Sequence, residues 1–151
     1  MDIYQWNKKY SEISNRYNAL YRSTAAHFGF SECQFKILYR LYIEKSAVTQ
    51  NRLADDFCLS KQTVNSAVMK LVDDGLVSLV KGAEAKNSKL VFLTDMGLEK
   101  CRVSIEPLTE AENRALLKIS DKRLALFLEL FEQHYTVFEG EIKSMTGEKN
   151  K

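Results

Sequence analysis

Two apolar stripes, one near each end of the chain, repeat in alternating steps of three and four residues, and a chain of 151 residues has few ways to bury both. The first runs Ile3, Trp6, Tyr10, Ile13, Tyr17, Leu20; the second runs Leu124, Leu128, Phe131, Tyr135, Phe138, Ile142, Met145. This spacing keeps side chains on one seam of an α-helix, the arrangement used when helices pack lengthwise. Neither Pro nor Gly occurs before Gly29. The first helix therefore reaches roughly 35–40 Å at 1.5 Å per residue, longer than a small domain needs for its own core. The two stripes either pack on each other within one chain or meet a second copy; their spacing leaves both open.

Between the stripes the periodicity changes. Gly29 breaks the first helix, and Ser31 caps a second with Phe35, Leu38, Leu41 and Tyr42 at helical spacing. Thr49 caps a short third helix whose inward residues are Leu53, Ala54 and Phe57, and Cys58-Leu59 form a tight connection. Ser60 caps a fourth helix with Val64, Ala67, Val68, Leu71 and Val72 on one face, ended by Gly75. Two short β-rich runs follow, 76–80 and 89–93, around a polar stretch, 81–88, which predicts a hairpin with an extended tip. Thr94 caps a helix carrying Leu98, Cys101, Ile105 and Leu108, which Pro107 should kink or interrupt. Ser120 caps the last long helix. The expected order is three or four helices, a hairpin, then two helices. That is a mainly α fold with a minor α+β part, a winged helix-turn-helix in a single domain over 1–151.

In a winged helix-turn-helix the second helix of the pair enters the DNA major groove and the first braces it across the backbone. The fourth helix divides its residues as that role requires. Opposite its apolar face stand Lys61, Gln62, Thr63, Asn65, Ser66, Met69 and Lys70. Lysine reaches guanine acceptors, Gln and Asn pair with adenine, and hydroxyls serve either way. The helix N-terminus at Ser60 offers backbone N–H groups to a phosphate, and Thr49 and Gln50 are similarly placed on the bracing helix. In the hairpin, Lys81, Lys86 and Lys89 outnumber Glu84, which suits phosphates or a narrow minor groove. Each feature alone also describes an ordinary solvated surface; their order along the chain is what discriminates.

That order resembles the MarR family. The stretch Phe30-Ser31-Glu32-Cys33-Gln34-Phe35-Lys36-Ile37-Leu38 is similar to the start of the family's second helix. Thr49-Gln50-Asn51-Arg52-Leu53-Ala54 resembles its T-Q-x-x-L-A bracing helix, and Leu59-Ser60-Lys61-Gln62-Thr63-Val64-Asn65 its recognition-helix start. Residues 71–77 and 93–97 match the segments flanking the wing, so the likeness covers nearly the whole chain. The resemblance implies a homodimer joined through 1–29 and 95–146, by Ile3, Trp6, Tyr10, Ile13, Leu124, Leu128, Phe131, Tyr135, Phe138 and Ile142, around a DNA-binding core over 31–94. It also implies an inverted-repeat operator in double-stranded DNA, repression, and a small-molecule effector to which no residue is assigned. Tyr10, Tyr17, Tyr21, Phe28 and Tyr39 are aromatics that could line such a cleft, or plain core. In one place the chain departs: where family wings carry D-x-R, it holds Ala85 and Asn87, with no arginine between Arg52 and Arg102. Arginine suits a narrow minor groove better than lysine, so the wing contact is weaker, shifts to Lys86 or Lys89, or is limited to phosphates.

Composition narrows the remaining classes. The net charge of +2 says almost nothing about nucleic acid, so the case rests on where charges sit. The longest apolar runs fall far short of the roughly 20 residues that span a bilayer, and the N-terminus lacks the pattern of a secretory signal, so the expected location is cytoplasmic, without a membrane partner. Cys33, Cys58 and Cys101 lack C-x-x-C spacing, and each fits a buried or semi-buried helical position where a thiol is inert. His27 and His134 lie far apart without ligand spacing, so no metal is expected. No phosphate loop or nucleophile elbow occurs, and Asp55-Asp56 and Asp73-Asp74 are helix neighbours that point apart. An enzyme and a cofactor are therefore not expected. The alternative is a winged helix used only for protein–protein contact.

Overall fold

The computed structural model describes residues 2–81 and 89–147, with only the backbone of Lys81. The elements are α1 (Ile3–His27), α2 (Glu32–Glu44), β1 (Val48–Thr49), α3 (Gln50–Asp56), α4 (Lys61–Asp73), β2 (Val77–Lys81), β3 (Lys89–Leu93), α5 (Asp95–Ser104), α6 (Glu106–Leu116) and α7 (Asp121–Thr146). The mainly α winged-helix class read from the sequence is the one observed. Two compact units divide the chain at 107/108.

Hydroxyl side chains close the starts of α2, α3, α4 and α5, and the Asp2 carboxylate that of α1. Ser31 and Gln34 form a reciprocal capping box: Gln34 N donates to Ser31 Oγ at 3.2 Å and Ser31 N to Gln34 Oε1 at 2.9 Å. That explains a glutamine buried in an otherwise apolar region. Thr49, Ser60 and Thr94 each accept from the backbone N–H three residues on. Ser120 holds the cap position of α7, but its side chain makes no capping bond.

Three helix ends share one geometry. After α1, Phe30 N donates to Ala25 O at 2.9 Å and Gly29 N to Ala26 O at 3.0 Å; after α4, Leu76 and Gly75 repeat the pattern onto Leu71 and Val72. These are paired 6→1 and 5→2 closures that need a left-handed residue, supplied by Gly29 and Gly75 at φ +82° and +71°. After α3 the same closure forms through Leu59 and Cys58 onto Ala54 and Asp55, with Cys58 itself at φ +51°. The tight connection is real, but Cys58 is an exposed turn residue, not the buried or semi-buried helical one expected. A left-handed side chain costs on the order of 1 kcal/mol, accepted here because the closure fixes the turn between α3 and α4.

The core joins Phe35, Ile37, Leu38 and Leu41 of α2 to Leu53 of α3, Val64, Val68 and Leu71 of α4, and Cys101 of α5, with Ile105 just after it. Each fully buried aliphatic side chain is worth about 1.5–3 kcal/mol. The sheet runs β1-β3-β2, antiparallel throughout, with Val48 opposite Val91 and Val77 opposite Leu93. Val48, Val77 and Val91 are buried and complete this core.

Pro107 interrupts the chain as anticipated. Helix α5 stops at Ser104, and α6 starts at Glu106 with Pro107 in its first turn, where the missing N–H costs nothing. The interruption leaves two helices, α5 and α6, giving seven among the described residues.

In the second unit neither α6 nor α7 has a buried residue. Phe127, Leu128, Phe131 and Phe138 of α7 are exposed, as are Ile3, Trp6, Tyr10 and Ile13 of α1. No described helix is long and apolar enough to cross a membrane.

The three thiols differ sharply in reactivity on this structure. Burial pushes the Cys101 thiol up to about 12, and also raises Cys33, while Cys58 lies open in its turn. At pH 8 the buried thiol stays protonated and shielded from reagent. Brief labelling with a maleimide should modify Cys58 first and leave Cys101 untouched until the chain unfolds, as read by peptide mass. Native-state labelling of Cys101 at the Cys58 rate would contradict the burial.

Candidate nucleic-acid interface

Helix α4 divides cleanly into a buried and an exposed face. Val64, Ala67, Val68 and Leu71 are buried, while Lys61, Gln62, Thr63, Asn65, Ser66, Met69 and Lys70 are exposed. The outward set is the one read from the sequence, but its members are not equally free. Ser60 Oγ accepts from Thr63 N at 3.0 Å and lies 2.7 Å from the Thr63 hydroxyl, so both side chains serve the cap. Lys70 Nζ lies 2.9 Å from Asp74 Oδ1, and that carboxylate raises the lysine's pKa and ties its ammonium back along the helix. Lys61, Gln62, Asn65 and Ser66 remain with no internal hydrogen bond or ion pair among the described residues.

On the bracing helix, Thr49 is half-buried and spends its hydroxyl on Arg52 N at 3.1 Å. Gln50 is also half-buried, and its amide nitrogen is turned inward without a hydrogen-bond partner among the described residues. The start of α3 can therefore offer backbone N–H groups more readily than these side chains.

A ring of charge absent from the sequence reading holds α3 to α2. Arg40 Nη2 lies 2.6 Å from Glu44 Oε1 and 2.9 Å from Asp56 Oδ2. Arg52 Nη2 lies 3.2 Å from the same Glu44 oxygen, and its Nε 3.6 Å from the same Asp56 oxygen. The i,i+4 spacings of Arg40 with Glu44 and Arg52 with Asp56 were visible in the sequence; that the two pairs meet was not. Each partly exposed pair is worth about 0–1 kcal/mol, so the ring's effect is to fix the bracing helix more than to stabilise the fold. It also leaves a half-exposed guanidinium, Arg52, beside the start of the helix-turn-helix.

In the wing, Lys81 and Lys89 are Cα partners in the last described pair of the β2–β3 ladder, and Lys89 is exposed. Lys86 and the side chain of Lys81 lie outside the described residues, as do Ala85 and Asn87.

Within the first unit a cleft of about 490 Å³ opens between the end of α2, the end of β3 and the start of α5. Leu41, Tyr42, Lys45, Phe92, Leu98 and Arg102 are among its lining residues; Tyr10, Tyr17, Tyr21, Phe28 and Tyr39 are not. Burial, and then the neighbouring Glu106, raise the pKa of Tyr42, keeping its hydroxyl protonated and able to donate. No cluster of three or more His, Cys, Asp or Glu residues able to hold a metal occurs among the described residues.

No family model and no curated protein matches the sequence. Solved structures do match. A MarR family regulator from Neisseria meningitidis is 23% identical with a TM-score of 0.74, covering 99% of this chain and 100% of that one. A MarR transcriptional regulator from Methanosarcina mazei is 26% identical with a TM-score of 0.61, over 92% and 98%. MepR of Staphylococcus aureus, solved as a complex with DNA, is 17% identical with a TM-score of 0.69, over 88% and 97%. Caps, helix-turn-helix, wing strands and long terminal helices together give this chain the winged-helix fold of the MarR-family regulators.

Proposed function

We propose that the chain is a MarR-type transcriptional regulator that binds an inverted-repeat site in double-stranded DNA as a homodimer. The observation that carries this reading is the division of α4. Four buried residues anchor it, while Lys61, Gln62, Asn65 and Ser66 stand outward and unengaged. The Lys81–Lys89 register and the N-terminus of α4 supply the backbone contacts that orient such a helix in a groove. In this reading residues 31–94 read DNA, and 1–29 with 95–146 join two copies, whose recognition helices then sit roughly one turn of DNA, about 34 Å, apart. The exposed seams of α1 and α7 support the second copy. Repression, relieved by a small-molecule effector, is the mode the resemblance implies, and the cytoplasm the place of work.

Selection of sheared genomic DNA on the purified protein, followed by anisotropy titration of the enriched fragments at several salt concentrations, tests this. An inverted repeat should emerge, with affinity falling steeply as salt rises. Lys61→Ala and Asn65→Ala should each cost about 1–3 kcal/mol and relax preference at one position per half-site, while Lys86→Ala should mainly flatten the salt slope. If no sequence is enriched, the reading fails, and contact with another protein becomes the better account of the α4 face.

A further inference from the structure

Met69 is the one apolar side chain on the outward face of α4, more than a third exposed, on a helix whose other exposed residues are polar or charged. Its position on that face is central. At about 100° per residue, the buried stripe of Val64, Ala67, Val68 and Leu71 defines an inward direction, and the opposite line runs between Met69 and Ser66, close to Gln62. Met69 follows Gln62 by seven residues, so the two side chains lie within about 20° of each other and about 10 Å apart along the axis. Asn65 and Ser66 flank the line one turn before Met69. No ring contact, hydrogen bond or ion pair engages those two or Gln62 among the described residues.

We infer that Met69 is a specificity residue of the proposed DNA contact, and that it reads the 5-methyl group of a thymine. The inference rests on the reading above that α4 enters the major groove. There, thymine alone among the four bases presents an apolar group, so an unbranched thioether has one kind of partner on the groove floor. Where α4 follows the duplex axis, the offset of about 10 Å spans roughly three base-pair steps of about 3.4 Å. The thymine should therefore lie about three base pairs from the base contacted by Gln62, towards the end of the half-site reached by the C-terminal part of α4. Flexibility at three side-chain torsions lets Met69 follow the methyl without a rigid fit.

The test uses the intact protein and its selected operator, with uracil replacing each thymine in turn so that only the methyl is removed. One thymine per half-site should prove sensitive, weakening wild-type binding about fourfold, the factor for burying a single methyl. Met69→Ala should abolish that sensitivity there alone, while Gln62→Ala should leave it intact and relax preference about three base pairs away. Met69→Leu, which keeps an apolar tip of similar size, should retain it; this variant also separates loss of the contact from loss of fold. The inference is overturned if the selected half-site tolerates uracil at every thymine, or if Met69→Ala keeps the wild-type profile. A protein that enriches no sequence at all sinks the parent reading and this one together, whereas a selected site without a methyl-sensitive thymine sinks this one alone.

Discussion

Gly97→Ala should destabilise the folded chain by about 3 kcal/mol, the upper end of ordinary overpacking and a large part of the roughly 5–15 kcal/mol that holds a domain together. A β-carbon at this position would sit 1.9 Å from the carbonyl oxygen of Leu76 and 2.9 Å from its carbonyl carbon. Both are backbone atoms, and the chain there is fixed from two sides. Leu76 N donates to Leu71 O at 2.9 Å, and Thr94 N donates to Leu76 O at 3.1 Å. Thr94 Oγ1 donates to Gly75 O at 2.6 Å while accepting from Gly97 N at 3.0 Å. The turn after α4 and the start of α5 are thereby pressed backbone to backbone, and no side-chain rotation can make room. Urea unfolding should show a lower midpoint with an unchanged slope, and a thermal midpoint lower by on the order of 10 °C. Gly140→Ala is the matched control. Nothing lies within 4 Å of its added carbon, and it faces away from the α7 seam, so better helix propensity should stabilise the chain by up to about 1 kcal/mol. Equal behaviour of the two variants would show that the close approach at Leu76 is not a feature of the folded protein.

Charging the α7 seam should have the second large effect. Phe131→Glu with Phe138→Glu places two carboxylates on a stripe where Leu128, Phe131, Tyr135 and Phe138 are all exposed in the single chain. Folding of the winged-helix core uses neither position, so the far-ultraviolet spectrum of the core elements should survive. Association should not, because burying an unpaired carboxylate in an apolar contact costs several kcal/mol. In sedimentation the wild type should have twice the chain mass and the variant the chain mass alone. With one half-site engaged instead of two, operator affinity should fall by roughly 10²–10⁴-fold. A variant that still sediments as the wild type does would show that the seam is not where two copies meet.

Local chemistry was legible in the sequence, and long-range geometry was not. Ser31, Thr49, Ser60 and Thr94 could be placed because a hydroxyl ahead of an apolar period acts within four residues, and all four accept a capping bond. The outward face of α4 could be read because helical periodicity is itself local. Strand β1 could not, since two residues, Val48 and Thr49, become a strand only through pairing with Val91 and Leu90 some forty positions later. Cys58 was misplaced because left-handed closures are normally marked by glycine, and here a bulkier residue takes that conformation. The retained cap bonds of Ser60 and Thr63, and the Lys70–Asp74 pair, show why residue type alone overstates a binding face. Those groups are present on it but already occupied.

The exposed seams of α1 and α7 also bear on gene dosage. If two copies pair as proposed, through seams whose Ile13 and Leu128 are exposed in the single chain, the groove-reading form depends on how much is made. Below the dissociation constant of the pair that form grows as the square of chain abundance, so halving synthesis lowers it about fourfold. Control by such a protein would then release abruptly as its own expression declines, with no ligand required.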